Sequence, residues 1–92
     1  MKLDEQKHNN SITTWRFYCP GCKHDHVFFS DRWDFNYNYD KPTFNPSLLN
    51  TKPDPEYRCH LFVTNGEIHY QSDCSHEMKG LIIPMKDLDD SI

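Results

Sequence analysis

A small β-rich domain stapled by zinc is the fold class that the chain predicts, and three observations predict it. Cys19-Pro20-Gly21-Cys22 lies between two segments of strand-like pattern, and Asn65-Gly66 lies between two more. Further thiols and imidazoles follow at Cys59, His60, Cys74 and His76. Such segments joined by turn residues read as hairpins, and a Cys-x-x-Cys with distant partners reads as a metal site. The class is β or α+β, with at most one short helical turn.

Size explains why a staple is expected. The chain of 92 residues has room for one core, and a domain this short buries only roughly 60–65% of its unfolded surface. The apolar share is 36% and the mean hydropathy −0.89, yet aromatic residues reach 14%. Each buried aromatic removes roughly 150–250 Å² from water, so few large side chains can carry the core. A covalent or metal link would add what they leave short. Two disulfides would need an oxidising compartment. The Met1–His8 segment has no apolar run of the signal-peptide kind, and no stretch is long and apolar enough to span a bilayer. The expectation is therefore a cytoplasmic protein without membrane contact that holds zinc rather than cystines. Fourteen acidic against ten basic residues give a net charge of −4, which disfavours nucleic acid as a partner.

In chain order, residues 1–11 are polar and aperiodic and read as a flexible arm, 12–86 as the single zinc-binding domain, and 87–92 as an acidic tail. Thr14–Tyr18 and His26–Ser30 form the strands of a zinc knuckle, with Pro20 and Gly21 bending the chain between them. Trp33–Asp40 alternates aromatic with polar residues, which predicts a strand carrying Trp33, Phe35, Tyr37 and Tyr39 on one face. Pro42–Ser47 reads as irregular, and Asn50–Glu56 as a loop. Residues 58–64 and 67–73 flank Asn65-Gly66, the pair that favours a two-residue type I′ turn. One helical turn over 75–79, stopped by Gly80, and a short strand over 81–85 complete the reading.

Hairpin register then selects ligands. With Asn65-Gly66 as the loop, Thr64 faces Glu67, Val63 faces Ile68 and Leu61 faces Tyr70; continued outward, the ladder brings Cys59 and Cys74 onto one face. The expected site is Cys19, Cys22, Cys59 and Cys74 around one structural zinc ion. A rival set keeps the knuckle and takes Cys74 with His76, leaving Cys59 a buried thiol. His60 points to the opposite face and cannot share the ion with Cys59. A second ion could sit at His26, His60 and His76, with Asp73 as general base or orienting carboxylate; these four are the catalytic candidates.

The ordered pattern Trp15-x-Phe17-x-Cys19-Pro20-Gly21-Cys22-x3-His26, Pro42-Thr43-Phe44-x-Pro46-Ser47, Cys59-His60-x-Phe62-Val63-x-x-Gly66 and Asp73-Cys74-x-His76 resembles a family of short bacteriophage and prophage proteins of unassigned function. The resemblance covers roughly residues 15–86, and the Trp33–Asp40 stretch is longer here than in that family. It implies the same four cysteines and the three histidines at 26, 60 and 76. Three functions are expected in order. The first is a non-enzymatic phage accessory protein, zinc-stapled, binding a host or phage protein. The second is a small metal-dependent hydrolase using His26, His60 and His76. The third is a nucleic-acid binder using Trp33, Phe35, Tyr37 and Tyr39 with Arg16, Lys23, Arg32 and Arg58.

Overall fold

Every second side chain of Thr13–Cys19, namely Trp15, Phe17 and Cys19, is buried while Arg16 and Tyr18 are exposed, the period-2 pattern of a half-buried strand. The computed structural model describes residues 1–51, 54 and 56–88. It contains eight strands among these: β1 (Asp4–Lys7), β2 (Thr13–Cys19), β3 (His24–Phe29), β4 (Asp34–Phe35), β5 (Phe44–Asn50), β6 (Cys59–Thr64), β7 (Glu67–Tyr70) and β8 (Ile82–Pro84). They form a three-stranded sheet, β1-β2-β3, and a five-stranded sheet, β4-β5-β6-β7-β8, antiparallel at every pairing. The described residues are β-rich with essentially no helix, as expected. No helix among the described residues is long and apolar enough to cross a membrane.

The core lies between the sheets. Trp15, Phe17 and Phe28 come from the first sheet; Phe44, Leu48, Leu61, Val63, Ile68 and Tyr70 come from the second. Phe44 is its centre, stacked on Phe28 at 4.0 Å and on Phe35 at 4.4 Å and inclined to Trp15 at 5.6 Å between ring centroids. Truncating so buried an aromatic removes its transfer energy and leaves a cavity. Phe44→Ala is expected to cost about 3–5 kcal/mol in a urea titration, a large part of a small domain's stability.

The knuckle hairpin and the Asn-Gly hairpin both form. Thr64↔Glu67, Val63↔Ile68 and Leu61↔Tyr70 are paired as the register argument requires. Asn65 and Gly66 both have positive φ, 50° and 77°, which a type I′ turn demands. Elsewhere the sequence reading needs correction. The polar arm over 1–11 carries β1, tied to β2 because Leu3 is buried and Glu5 accepts hydrogen bonds from Trp15 Nε1 (2.8 Å) and Tyr39 Oη (2.5 Å). The Trp33–Asp40 strand shrinks to β4; Tyr37 turns to φ 57° and is exposed, while Trp33, Phe35 and Tyr39 pack on the core. The Pro42–Ser47 segment, expected to be irregular, contains the start of β5, with a register shift between Phe44 and Leu48. Residues 75–79 form turns instead of a helical turn, with Lys79 N–H donating to the His76 carbonyl at 3.2 Å. The 50–56 loop and the acidic tail lie partly outside the described residues.

Candidate functional site

Strand β6 has a buried face and an outer face, and consecutive residues on it serve two different sites. Cys59 is fully buried and faces inward; His60 faces outward.

On the inward side, Cys19, Cys22, Cys59 and His76 each offer a ligand atom, and these four atoms all lie within 4.8 Å of one another. The knuckle turn supplies the first two, β6 the third and the turn after Cys74 the fourth. Cys19 Sγ is 3.9 Å from Cys59 Sγ, and His76 Nε2 is 3.3 Å from Cys59 Sγ. Gly21 allows this closure, since a β-carbon there would lie 2.4 Å from His76 Cε1. Tyr70 Oη sits 3.0 Å from Cys19 Sγ and accepts the Gly21 N–H at 3.3 Å, and Tyr57 Oη sits 2.9 Å from Cys22 Sγ. All four cysteines are free thiols.

Electrostatics show what the cluster wants. A hydrogen bond from Cys59 pulls the Cys19 thiol down to about 3, and the same contact together with burial pushes Cys59 up. Burial raises Cys22 and lowers His76. Without a cation, the group thus tolerates one negative sulfur and resists a second beside it. A metal ion removes that resistance, because it binds deprotonated thiolates and neutral imidazole. The donor set and its spacing therefore fit a metal ion.

The sequence reading placed Cys74 in this set, and His76 stands there instead. The ladder that should have carried Cys74 beside Cys59 stops at Leu61↔Tyr70. The chain then turns, with Cys74 N–H donating to the Gln71 carbonyl at 3.2 Å, and this rotates the thiol away. Cys74 Sγ donates to the His60 carbonyl at 3.1 Å and accepts the His60 N–H at 3.3 Å. The rival set fares no better, since it used Cys74 and left out Cys59. Cys74→Ala should leave metal content unchanged and cost about 1–3 kcal/mol, because the His60 N–H loses its partner. Metal analysis alongside denaturant unfolding checks both halves.

On the outward side, β5 and β6 present a different constellation. Leu49 faces His60 across the two strands, so Ser47, two residues before Leu49, shares their face. His60 Nε2 lies 3.0 Å from Ser47 Oγ, and His60 Nδ1 lies 3.2 and 3.3 Å from the two Asp73 oxygens. Arg58 Nη1 donates to Asp73 Oδ2 at 3.2 Å. Burial raises the Asp73 carboxyl, but the hydrogen bonds from Arg58 and His60 outweigh it and hold the group below its ordinary value. An ionised carboxylate only accepts, so His60 Nδ1 carries the proton and donates. Nε2 is then a lone pair, and the Ser47 hydroxyl donates to it. Serine, histidine and carboxylate in this relay are the parts of an activated nucleophile.

The three candidate histidines therefore part company. His60 belongs to the outer relay and His76 to the metal group. His26 is buried at the border of that group, where it helps lower the Cys19 thiol, with its ring 5.7 Å from Phe17 and its Nε2 without a hydrogen-bond partner among the described residues. Asp73 joins His60 as the orienting carboxylate. Ser47 is the residue that sequence reasoning missed. The usable signal was the outward face assigned to His60, which called for a hydroxyl or thiol on the neighbouring strand. As for the nucleic-acid candidates, Arg16 pairs with Asp4 and Asp25, and Arg58 pairs with Asp73.

A family model described as bacterial ubiquitination-like system serine protease (BubE) matches residues 2–71. The matched stretch includes Ser47, His60, Cys19, Cys22 and Cys59, and it ends before Asp73 and His76. The description names a bacterial system and lends no support to a phage zinc-ribbon family. No curated protein and no solved structure matches the chain.

Proposed function

Because this chain belongs to the family of bacterial ubiquitination-like system serine proteases (BubE), we propose that it is a serine hydrolase of acyl bonds with Ser47 as nucleophile. The observation that carries the reading is His60 bridging Ser47 Oγ at 3.0 Å and Asp73 at 3.2 Å through its two ring nitrogens. Ser47 Oγ attacks the acyl carbon while His60 Nε2 takes its proton. The resulting imidazolium is stabilised by Asp73 through Nδ1–H, and His60 then returns the proton to the leaving group. Water repeats the sequence on the acyl-enzyme. Such a covalent step divides one high barrier into two lower ones. The family description ties its members to a bacterial ubiquitination-like system; carried to this chain, it makes a protein of such a system the substrate.

We read the metal as zinc held by Cys19, Cys22, Cys59 and His76, since three thiolates and one imidazole suit that ion. Four protein ligands leave no open position, so the ion is structural, and a cytoplasmic setting would keep the thiols reduced. This departs from a metal-dependent hydrolase built on His26, His60 and His76, since His60 lies on the other face of the sheet.

A fluorophosphonate probe tests the proposal. Intact-mass and peptide analysis should find one adduct, on Ser47, abolished in His60→Ala. Folded, metal-loaded protein that takes no adduct would overturn the hydrolase and leave the rival, a phage-encoded accessory protein acting by binding a host or phage protein.

A further inference from the structure

The strand that carries Ser47 has one open edge, and its geometry can be followed residue by residue. The Ser47 carbonyl is turned away from β6 and accepts a hydrogen bond from Trp33 Nε1 at 3.3 Å. On the facing strand, the His60 carbonyl accepts from Gln71 and the His60 N–H donates to Cys74, so both are turned away from β5. Leu49 and His60 are thus a non-hydrogen-bonded pair of the ladder. It follows that the backbone N–H and C=O of Leu49 point to the side of β5 opposite β6. Among the described residues no strand meets them there, because β4 pairs with β5 only at Phe44 and Asn45.

Opposite this edge lies another. β3 is the last strand of the first sheet, with β2 on one side only. Between the two edges runs a groove of about 410 Å³, walled by Val27 and Phe29 from β3, by Arg32 and Trp33, and by Leu48 and Leu49 from β5. It begins at the residue that follows the nucleophile. The Leu49 side chain, 53% exposed, lies on the same face as Ser47 and His60. The β5 wall from Leu48 to Asn50 offers roughly 7 Å of edge at about 3.3 Å per residue, enough for some two residues of an added strand.

Building on the serine-hydrolase reading, and taking from the family's protease description that the substrate is a polypeptide, we infer that the substrate binds in extended form as a strand added to the open edge of β5 at Leu49. Main-chain hydrogen bonds to Leu49 would hold it in register, and alternate side chains would contact the groove walls. Binding by the backbone also selects chemistry. A peptide supplies the alternating donor and acceptor that Leu49 lacks, whereas a simple ester or a glycan does not. A tightly folded protein would have to release a tail or loop to be cut.

The test uses the full-length, metal-loaded protein and a library of N-acetylated decapeptides analysed by mass spectrometry. Cleavage of library members is expected. In the best substrate, N-methylation of one backbone amide within about three residues of the cut should lower kcat/KM about tenfold, while methylation further away should not. Val27→Trp, which fills the groove from the β3 side, should lower kcat/KM for the same peptide by a similar factor with an unchanged circular dichroism spectrum. Should that variant not fold, the methylated peptides carry the test with the unaltered protein. Enzyme that forms the Ser47 fluorophosphonate adduct yet leaves the library intact, or cleaves every methylated peptide at the parent rate, would overturn the inference and leave the hydrolase standing. Absence of the adduct itself would instead remove the hydrolase.

Discussion

Ser47→Ala and His60→Ala are each expected to lower kcat for an acyl substrate by about 10⁶-fold, and the double variant by no more than either alone. The near-equality follows from the relay: a hydroxyl without its base, or a base without its hydroxyl, is equally idle. Asp73→Asn should cost about 10⁴-fold, since the amide presents a donor to Nδ1 and reverses the tautomer that Nε2 needs. Folding should be little changed, because these side chains lie on the solvent side of the sheet. Single-turnover measurements with an activated ester, together with thermal melts, check both points. Losses that multiply in the double variant would mean that the two residues act separately and would sink the relay. The pH response carries a sign. Asp73 is held below its ordinary value by Arg58 and His60, once burial has been overcome. What it contributes is therefore fully present above the ordinary carboxyl value and is lost as pH falls through the lowered one. Arg58→Ala removes one of the two restraints, so the pH at which Asp73 protonates should rise, visible in the carboxylate resonance by NMR.

On the zinc reading proposed above, removing the metal is expected to be the second large effect. Binding of a structural zinc ion contributes about 10–16 kcal/mol to small domains of this type, against a typical net stability of about 5–15 kcal/mol. Chelation at neutral pH should therefore unfold the protein, and Cys59→Ser should prevent it from accumulating folded. Hydrolysis should disappear with the fold. Cys59 adjoins His60, and His76 stands three residues after Asp73, so the ligands anchor the two segments that bear the relay. Metal-free protein that melts at the same temperature as the loaded form would refute this account. Restoring the ion should restore both the circular dichroism signal and fluorophosphonate labelling in parallel.

How much of this could be read from residues alone depended on whether local pattern was enough. The knuckle needed only Cys19-Pro20-Gly21-Cys22 and its flanks, and the β6–β7 register needed only Asn65-Gly66, whose positive-φ turn fixes the pairing. The same register put Cys59 and His60 on opposite faces. It overreached beyond Tyr70, because the chain leaves the ladder at Gln71 and a two-residue alternation no longer holds. That is why Cys74 was expected in the ligand set and His76 stands beside Cys19, Cys22 and Cys59 in its place. Ser47 was hidden for a related reason. It lies within the register shift between Phe44 and Leu48, so no periodic pattern announces that Phe44–Asn50 is one strand. A Pro-bracketed segment reads as a loop until the tertiary pairing with β6 is known. The aromatic run after Trp33 misled in the opposite direction. Its alternation suggested a long strand, whereas the demands of the core took Phe35 and Tyr39 inward and left Tyr37 outside.

The back-to-back arrangement of Cys59 and His60 limits what evolution can do with this stretch. Substitutions can tune either neighbour on its own. Insertion or deletion of a single amino acid between the Asn-Gly loop and Cys59, however, would turn the thiol outward and the imidazole inward at one stroke. Length polymorphism among natural variants should therefore avoid these positions.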